Sequence, residues 1–391
     1  MAKYRFDQIA INSTEKKKPV EEDRFTYLGL EHLDSGSLKV TRFGSEVAPI
    51  GEKLIMHEGD VLFGKRRAYQ KKVAIAPFDG IFSAHGMVLR PKEDVIDKDF
   101  FPLFISSDYF LDAAIKISVG SLSPTINWRD LKELEFELPD LDTQRKLAEV
   151  LWSINDTMEA YKKLISATDE LVKSQFMEQF VIEAPYERTR LGNHISQIRG
   201  VSYKPADLRP SLSEESVLLL RANNIGAGRI NHDEVQYVAK EKVSTVQLIH
   251  AGDILMCASS GSLEHVGKAA ICLPTIAGET FGAFCKLIRP KGDLLPEYIA
   301  AYLETDEYRE IIMQLACGSN INNLKTEHID ELLIPTPPAD VQEAFVSFLR
   351  QSDKSKFAVL SCLNQKYNAF QVMIHNIEIN TNSQRRNSSG T

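Results

Sequence analysis

A cationic stretch between positions 65 and 72 carries the strongest chemical signal in the chain. Five Lys or Arg residues fall within eight positions, and no acidic residue interrupts them. Such a loop can neutralise phosphates while Arg or Gln reaches base edges in a DNA groove. A solvated charge run on a surface hairpin explains the same pattern equally well, so both interpretations stay open. The candidate residues are Lys65, Arg66, Arg67, Tyr69, Gln70, Lys71 and Lys72.

Weaker polar candidates occur in the second half of the chain. A nearly uncharged stretch around 258–268 takes the place of the cationic loop there. For each weaker candidate taken singly, ordinary turn chemistry is the more common explanation. The predicted DNA-contacting residues of this half are Arg199, Ser202, Tyr203, Lys204, Ser259, Ser260, Asn320, Asn322 and Lys325.

Catalytic motifs are missing from the sequence. Residues 59–65 match G-x4-G-K, but Arg66 stands where a phosphate-binding loop needs Ser or Thr for Mg²⁺. The nine histidines form no HExxH pair and no His/Cys cluster with metal-ligand spacing. No G-x-S-x-G elbow occurs, and no acidic-Pro-Pro-aromatic tetrapeptide of amino-methyltransferases is present. His57 and His250 recur before equivalent Gly-Asp turns, where a structural hydrogen bond is the favoured role.

Composition predicts a cytoplasmic globular chain with no catalytic metal and no membrane span. The 391 residues are 43% hydrophobic and 26% charged, and no apolar run approaches about 18 residues. Five cysteines without CxxC spacing are typical of a reducing compartment. The net charge of −8 means that any nucleic-acid contact must come from local patches.

Two long helices are predicted, over 139–184 and 339–380. Apolar residues alternate at four and three positions in both, which is the spacing of a coiled-coil seam. Polar Asp353 and Lys356 interrupt the second seam, a feature that commonly fixes register. Pairing of the two helices with each other would bury both seams, and two amphipathic helices on separate cores are the alternative. The predicted seam residues are Leu147, Leu151, Ile154, Met158, Tyr161, Ile165, Val172, Leu349, Leu360, Leu363, Tyr367, Phe370 and Ile374.

An internal repeat organises the whole chain. His57–Leu62 matches His250–Leu255 at an offset of 193, and Arg90–Lys92 matches Arg289–Lys291 at 199. The order of the matches is kept, as two copies of one module require. We therefore predict an α+β fold with two similar β-rich modules, each containing a small helix (98–116 and 295–315) and each followed by a long helix. The predicted boundaries are 1–138 and 185–338 for the modules, 139–184 and 339–380 for the long helices, and 381–391 for a disordered tail.

With these features the chain resembles the specificity subunits of type I restriction-modification systems. The resemblance rests on both Gly-Asp-apolar turns, on the Gly-Ser loops at 120 and 318, and on two Pro-rich helix starts. Leu138–Ala148 and Ile334–Gln342 are similar to the family's Leu-Pro...Gln start of a spacer helix. The second start has Glu343 and Ala344 where the first has Arg145 and Lys146.

The resemblance implies a non-catalytic subunit that binds double-stranded DNA. Each module would read one half of a bipartite, asymmetric site, and the antiparallel helices would set the spacing. Two modification (methyltransferase) subunits would dock on it, joined by two restriction subunits where the system cleaves DNA. S-adenosylmethionine, ATP and Mg²⁺ would then belong to the partner subunits, with no cofactor in this chain. A specificity chain with its own cryptic methylation or cleavage activity and a pure coiled-coil adaptor remain as alternatives.

Overall fold

The chain divides into two compact units in this computed structural model. The structure describes residues 2–121, 123–182, 186–226, 228–316 and 322–388. One unit holds the residues up to 162 together with those from 360 onward, and the other holds 163–359. Each unit contains one β-rich module and part of both long helices. No helix in the described ranges is both long and apolar enough to cross a bilayer.

A four-stranded antiparallel sheet forms the centre of the first module. Its spatial order is Ala10–Ser13, Met87–Pro91, Val61–Phe63, Val73–Ile75. The segment that resembles a phosphate-binding loop in sequence is therefore the interior strand Val61–Phe63, which is buried along its length. A buried strand cannot offer its backbone N–H groups to a phosphate, so the nucleotide-site interpretation stays rejected.

The second module repeats this central sheet with the same strand order. Its strands are Ile195–Arg199, Cys285–Pro290, Ile254–Cys257 and Ala269–Ile271, again all antiparallel. The predicted α+β class and internal repeat are confirmed.

The outer sheets of the two modules are related less closely. Both contain a short parallel pair, with Leu28 opposite Phe82 in the first module and Leu220 opposite Phe281 in the second. The neighbouring strands attach differently. The spatial order is Lys16–Lys17, Lys53–Met56, Gly80–Phe82, Tyr27–Leu28 in the first module and Leu208–Arg209, Gln236–Ala239, Ser216–Leu220, Thr280–Phe281 in the second.

The apolar residues of the central strands point alternately to two cores. Val61 and Phe63 pack among the short helices and the start of the first long helix, whereas Leu62 packs toward the outer sheet. Ile254 and Leu255 divide in the same way in the second module. Burial on both faces explains why these strands are continuous apolar runs rather than alternating ones.

The small helix predicted in each module is two helices. Residues 98–116 form Phe101–Ser106 and Asp108–Lys116, and the twin forms Pro296–Tyr302 and Asp306–Ala316. In the first module Ser107 separates the two helices. Its hydroxyl donates to the Phe104 carbonyl (2.6 Å) at the end of one helix and accepts from the Phe110 N–H (3.3 Å) at the start of the next. Thr305 makes the equivalent bonds in the second module.

Short elements complete each module. One pair of antiparallel strands ties the beginning of each module to its end, and small helices flank these pairs. The strand pairs are Ala2–Arg5 with Glu135–Leu138 and Arg188–Arg190 with Leu333–Pro335; Ile225–Gly226 pairs with Arg229–Ile230; the helices are Phe6–Ile9, Trp128–Leu131 and Thr326–Asp330.

Both long helices are present. The first runs over Leu141–Met177 and continues as a π-helical turn through Ile182, and the second runs over Ala339–Ser388. The second helix passes the predicted end at 380 and includes 381–388, for which composition predicted disorder. Once a helix is nucleated, each further residue adds a backbone hydrogen bond that roughly offsets the entropy lost on ordering it, and this extension requires no apolar side chain.

The two helices pair antiparallel within the second unit. Lys356 donates to Asp169 across the pair at 2.8 Å, and further along the Phe345 ring contacts Phe176 and Phe180 at centroid distances of 5.6 and 5.2 Å. Increasing numbers on one helix therefore meet decreasing numbers on the other. Lys356, with a side chain only 11% exposed, also binds Asp353, so the polar seam positions form a specific ionic contact.

The predicted seam is only partly a helix–helix seam. Leu147, Leu151 and Ile154 pack into the core of the first module, and Val172 and Leu349 pack into the core of the second. For Leu147, Leu151 and Ile154 the module core is a competing explanation of the apolar spacing. The second core includes Phe176 and Phe345 of the two helices, so Val172 and Leu349 stay predicted seam residues. Of the others, Met158, Tyr161, Ile165, Leu360 and Leu363 are buried or half-buried and Tyr367 is exposed, while the side chains of Phe370 and Ile374 lie outside the described residues.

Candidate nucleic-acid interface

Three loops meet at one end of the central sheet in the first module. The cationic loop leaves the strand Val61–Phe63, and Arg66 forms an isolated antiparallel bridge with Thr125 of the Gly-Ser loop. The Lys65 carbonyl accepts from the Ile126 N–H at 2.9 Å, and the Ala68 N–H donates to the Pro124 carbonyl at 3.3 Å. The sequence identified the cationic loop and the Gly-Ser loop separately, and the structure brings them together.

The third loop is the tight turn at 83–86. The Gly86 N–H donates to the Ser83 carbonyl at 3.0 Å, and the Arg66 N–H donates to the His85 carbonyl at 3.2 Å. The Arg66 side chain continues this contact, with its Nε 3.0 Å from the Ser123 Oγ and one terminal nitrogen 3.3 Å from the His85 Nε2. Arg66 therefore links all three loops.

Burial and nearby cations favour the neutral form of the His85 imidazole. Burial lowers the pKa of His85 from its ordinary value, and the charges of Arg66, Lys65 and Lys53 lower it further. A neutral imidazole beside the guanidinium can accept its hydrogen bond.

The five cations of the loop divide into two groups. Lys71 binds Asp108 and Asp112 at 2.6 and 2.7 Å; burial would lower its pKa, but these carboxylates outweigh burial and raise it. Lys72 donates to the Leu30 carbonyl at 2.6 Å. Both side chains are thus bonded within the module. These internal contacts are an alternative to the predicted contacts of Lys71 and Lys72 with DNA.

Lys65, Arg66 and Arg67 form the second group. Burial lowers the pKa of Lys65, helped by nearby Lys16, and no side-chain partner of Lys65 is found among the described residues. Arg67 is exposed and has a left-handed backbone (φ 55°), and within the described ranges its guanidinium makes no ion pair. Tyr69 is 58% exposed and lies on the short 3-10 turn Ala68–Gln70, which connects Arg67 to Lys71. These residues form the cationic surface of the first module.

The second module builds the same three-loop junction from different side chains. Ser259–Ser260 pairs antiparallel with Asn322–Asn323, so Ser259 opposite Asn323 corresponds to Arg66 opposite Thr125. The Ser259 N–H donates to the Phe284 carbonyl at 3.0 Å, as Arg66 does to His85. The backbone geometry of the junction is therefore the same in both modules. The side chains differ, with cations in the first module and hydroxyl and amide groups in the second.

Other predicted residues of the second module lie around this junction. Arg199 is exposed and stands opposite Lys286 in the sheet register. Lys286 is buried, with its Nζ 3.2 Å from the Gln197 Oε1, and burial followed by the Arg199 charge lowers its pKa. The Tyr203 hydroxyl donates to the Gln236 side chain at 3.0 Å.

The remaining predicted residues divide by exposure and by coverage. Ser202, Lys204 and Lys325 are exposed. Asn320 lies outside the described residues, and for Asn322 only the backbone is described.

Sequence reasoning missed the turn residues His85 and Phe284. They are 199 positions apart, the offset already seen for the Arg-Pro-Lys matches. Extending the repeat alignment backward from Arg90 and Arg289 would have paired them. A polar ring in one module and an apolar ring at the equivalent position of the other would then have marked this position as a candidate reading residue.

The described residues show no catalytic constellation at this junction. No group of three or more His, Cys, Asp or Glu side chains in the described part of the chain could hold a metal ion. The arrangement is instead suited to recognition, since it presents hydrogen-bonding and cationic side chains from loops fixed to a rigid sheet.

A duplicated module that changes its loop chemistry on a constant scaffold defines a class of two-part recognition proteins. The sequence profile described as the type I restriction modification DNA specificity domain matches twice, over residues 22–167 and 221–369. The chain belongs to this family.

Curated relatives extend the comparison. The chain is 37% identical over 164 residues to the Type I restriction enzyme StySPI specificity subunit of Salmonella potsdam, covering 41% of this chain and 35% of that protein. It is 21% identical over 359 residues to the MjaVIII specificity subunit of Methanocaldococcus jannaschii, covering 85% of this chain and 80% of the relative.

A solved structure shares the fold. It comes from a study of complex assembly and conformational transition of the type I R-M system, with a TM-score of 0.51 and 16% identity. The match covers 96% of this chain and 97% of the other.

Proposed function

We propose that this chain is the DNA sequence-specificity subunit of a type I restriction-modification system. Each module would read one half of a bipartite, asymmetric double-stranded site. The observation that carries the proposal is the three-loop junction. It is built once on the central sheet of each module, with equivalent backbone contacts but different side chains. Two readers of different half-sites need a constant frame and variable contacts.

Chemistry is assigned to the partners in this proposal. Two modification subunits would supply methyl transfer with S-adenosylmethionine, and restriction subunits would supply ATP- and Mg²⁺-dependent cleavage. Family membership and the relatives' names support the assembly role. The Lys65, Arg66 and Arg67 surface provides the local positive charge that a chain of net charge −8 needs to approach a phosphate backbone.

The cationic surface is tested by single substitutions in the full chain, alone and with its modification subunits. Arg66→Ala and Arg67→Ala should each weaken duplex binding and reduce the slope of log K against log salt by about 1, because each removes about one phosphate contact. Lys98→Ala removes an exposed cation that follows the opposite end of the strand Met87–Pro91 and should leave binding unchanged. Filter binding or fluorescence anisotropy between about 50 and 200 mM salt measures the slope.

The outcome against the proposal is equally clear. If both Arg variants keep the wild-type slope and affinity while thermal unfolding shows that they are folded, this surface does not face DNA.

A further inference from the structure

A rigid turn at 282–285 presents an aromatic ring at the three-loop junction of the second module. The Cys285 N–H closes the turn on the Gly282 carbonyl at 2.9 Å, and the Gly282 N–H donates to the Leu220 carbonyl at 2.9 Å. A Cβ on Gly200 would lie 2.1 Å from the Gly282 carbonyl oxygen, so the backbones meet as closely as only glycine permits. The turn is held on several sides and has little freedom.

Phe284 occupies this turn with 69% of its surface exposed. Its carbonyl accepts from the N–H groups of Ala258 and Ser259 at 2.9 and 3.0 Å, which fixes its backbone against the Ser259–Ser260 strand. A single exposed apolar residue is ordinary on a protein surface. Its position beside the predicted reading residues is what gives this ring significance.

The repeat strengthens the inference. His85 is the equivalent residue in the first module, where it is exposed and its side chain contacts Arg66. One module thus places a polar ring with a cation at this position, and the other places an apolar ring beside hydroxyl groups. The position varies as a residue that discriminates between bases would.

The surroundings of Phe284 favour a DNA base edge over an apolar protein surface. The strand Ser259–Ser260 adjoins Phe284 through the hydrogen bond of the Ser259 N–H. Lys286 follows Phe284 by two positions, and the exposed Arg199 lies opposite Lys286 in the sheet. Hydroxyl groups can bond to any base, and a cation favours the nearby phosphates. An apolar protein partner would need a continuous apolar patch in place of these polar neighbours.

We propose that Phe284 contacts the C5-methyl group of a thymine in the major groove of the half-site read by the second module. The inference rests on the proposed function and adds a specificity-determining residue to it. Thymine is the base that presents a methyl group in that groove, and apolar side chains recognise it. The half-site of the second module therefore contains a thymine.

The test replaces single thymines by deoxyuridine, which removes only the methyl group. With wild-type chain in its complex with the modification subunits, one such replacement in the second half-site should weaken binding roughly threefold to fivefold, the value of one buried methyl. Phe284→Ala should bind the thymine and uracil duplexes equally, and Phe284→Leu should retain part of the preference. Replacements in the first half-site should behave alike in wild type and variant.

A matched control is Leu273→Ala. Leu273 is 59% exposed and follows the strand Ala269–Ile271 at the end of the sheet away from the turn, so its loss should preserve the thymine preference. Thermal unfolding establishes that each variant is folded.

The uracil experiment distinguishes failure of the Phe284 methyl contact from failure of the proposed DNA-specificity function. If the wild-type complex shows no sequence preference, the proposed function fails. If it is selective but no uracil replacement matters, or if Phe284→Ala weakens binding without removing the thymine preference, the methyl contact is overturned and the function stands.

Discussion

At the scale of single residues, an ion pair between a buried Asp and a half-buried Arg accounts for two of the repeated sequence motifs. The Asp of each Gly-Asp turn binds the Arg of the matching Arg-Pro-Lys segment: Asp60 with Arg90 at 2.7 Å, and Asp253 with Arg289 at 2.7 Å. Each Asp also accepts the backbone N–H of the His three residues before it. These bonds use only the main chain of His57 and His250, so they account for the closed turns and not for the histidine side chains.

His85 is the residue whose ionisation tests the first junction. Arg66→Ala should raise the pKa of His85 toward its ordinary value of 6.5 without reaching it, because burial is the larger cause of the lowering. An NMR titration of the imidazole proton, assigned with His85→Gln, measures the midpoint. Arg67→Ala should leave the midpoint in place, and an unchanged midpoint in Arg66→Ala would show that the contact does not form in solution.

The same shift has a consequence for stability. The folded chain binds a proton at His85 less readily than the unfolded chain does, so this residue's contribution is present above the ordinary pKa of 6.5 and is lost as pH falls below it.

At the scale of elements, one buried Gln fixes the start of each long helix. The Gln342 amide donates to the Pro337 and Asp293 carbonyls at 2.9 and 3.2 Å and accepts from the Leu295 N–H at 2.9 Å. Gln144 makes the corresponding three bonds in the first module. The Gln of the helix-start motif therefore clamps the helix to the segment leading into the short helices.

Gln342→Ala should destabilise the second module by about 2 to 4 kcal/mol, because it leaves buried backbone groups without partners. Hydrogen exchange at the Leu295 amide should accelerate along with the loss in urea midpoint. Gln351→Ala, an exposed change on the same helix, should cost little. Equal stability of the two variants would contradict the clamp.

Element boundaries show where sequence reasoning succeeded and where it failed. Heptad spacing located both long helices, because a periodic pattern over tens of residues is hard to produce by other structures. The break at Ser107 was missed, although Ser followed by Asp108 is a helix-start signal that outranks the apolar spacing around it. Leu147 and Leu151 were assigned to a helix seam because spacing reports which face is apolar, and only tertiary structure reports what covers it.

At the scale of the whole molecule, the repeat was predictable and the details of the reading surface were not. Ordered matches at slowly changing offsets identified two modules, and the shared sheet order confirms them. The cationic loop was found by composition, but composition could not separate Lys71, which binds Asp108, from Arg67, which faces solvent. The junction itself joins segments far apart in sequence, so only the fold reveals it.

The central claim is that each module reads its own half of one site, and a module exchange tests it most directly. Residues 1–138 are replaced by the equivalent segment of another family member, and the chain is expressed with its modification subunits. Methylated adenines are then mapped by sequencing. The account predicts that one half-site changes while the other half and the spacing persist. A change in both halves, or in neither, would contradict it.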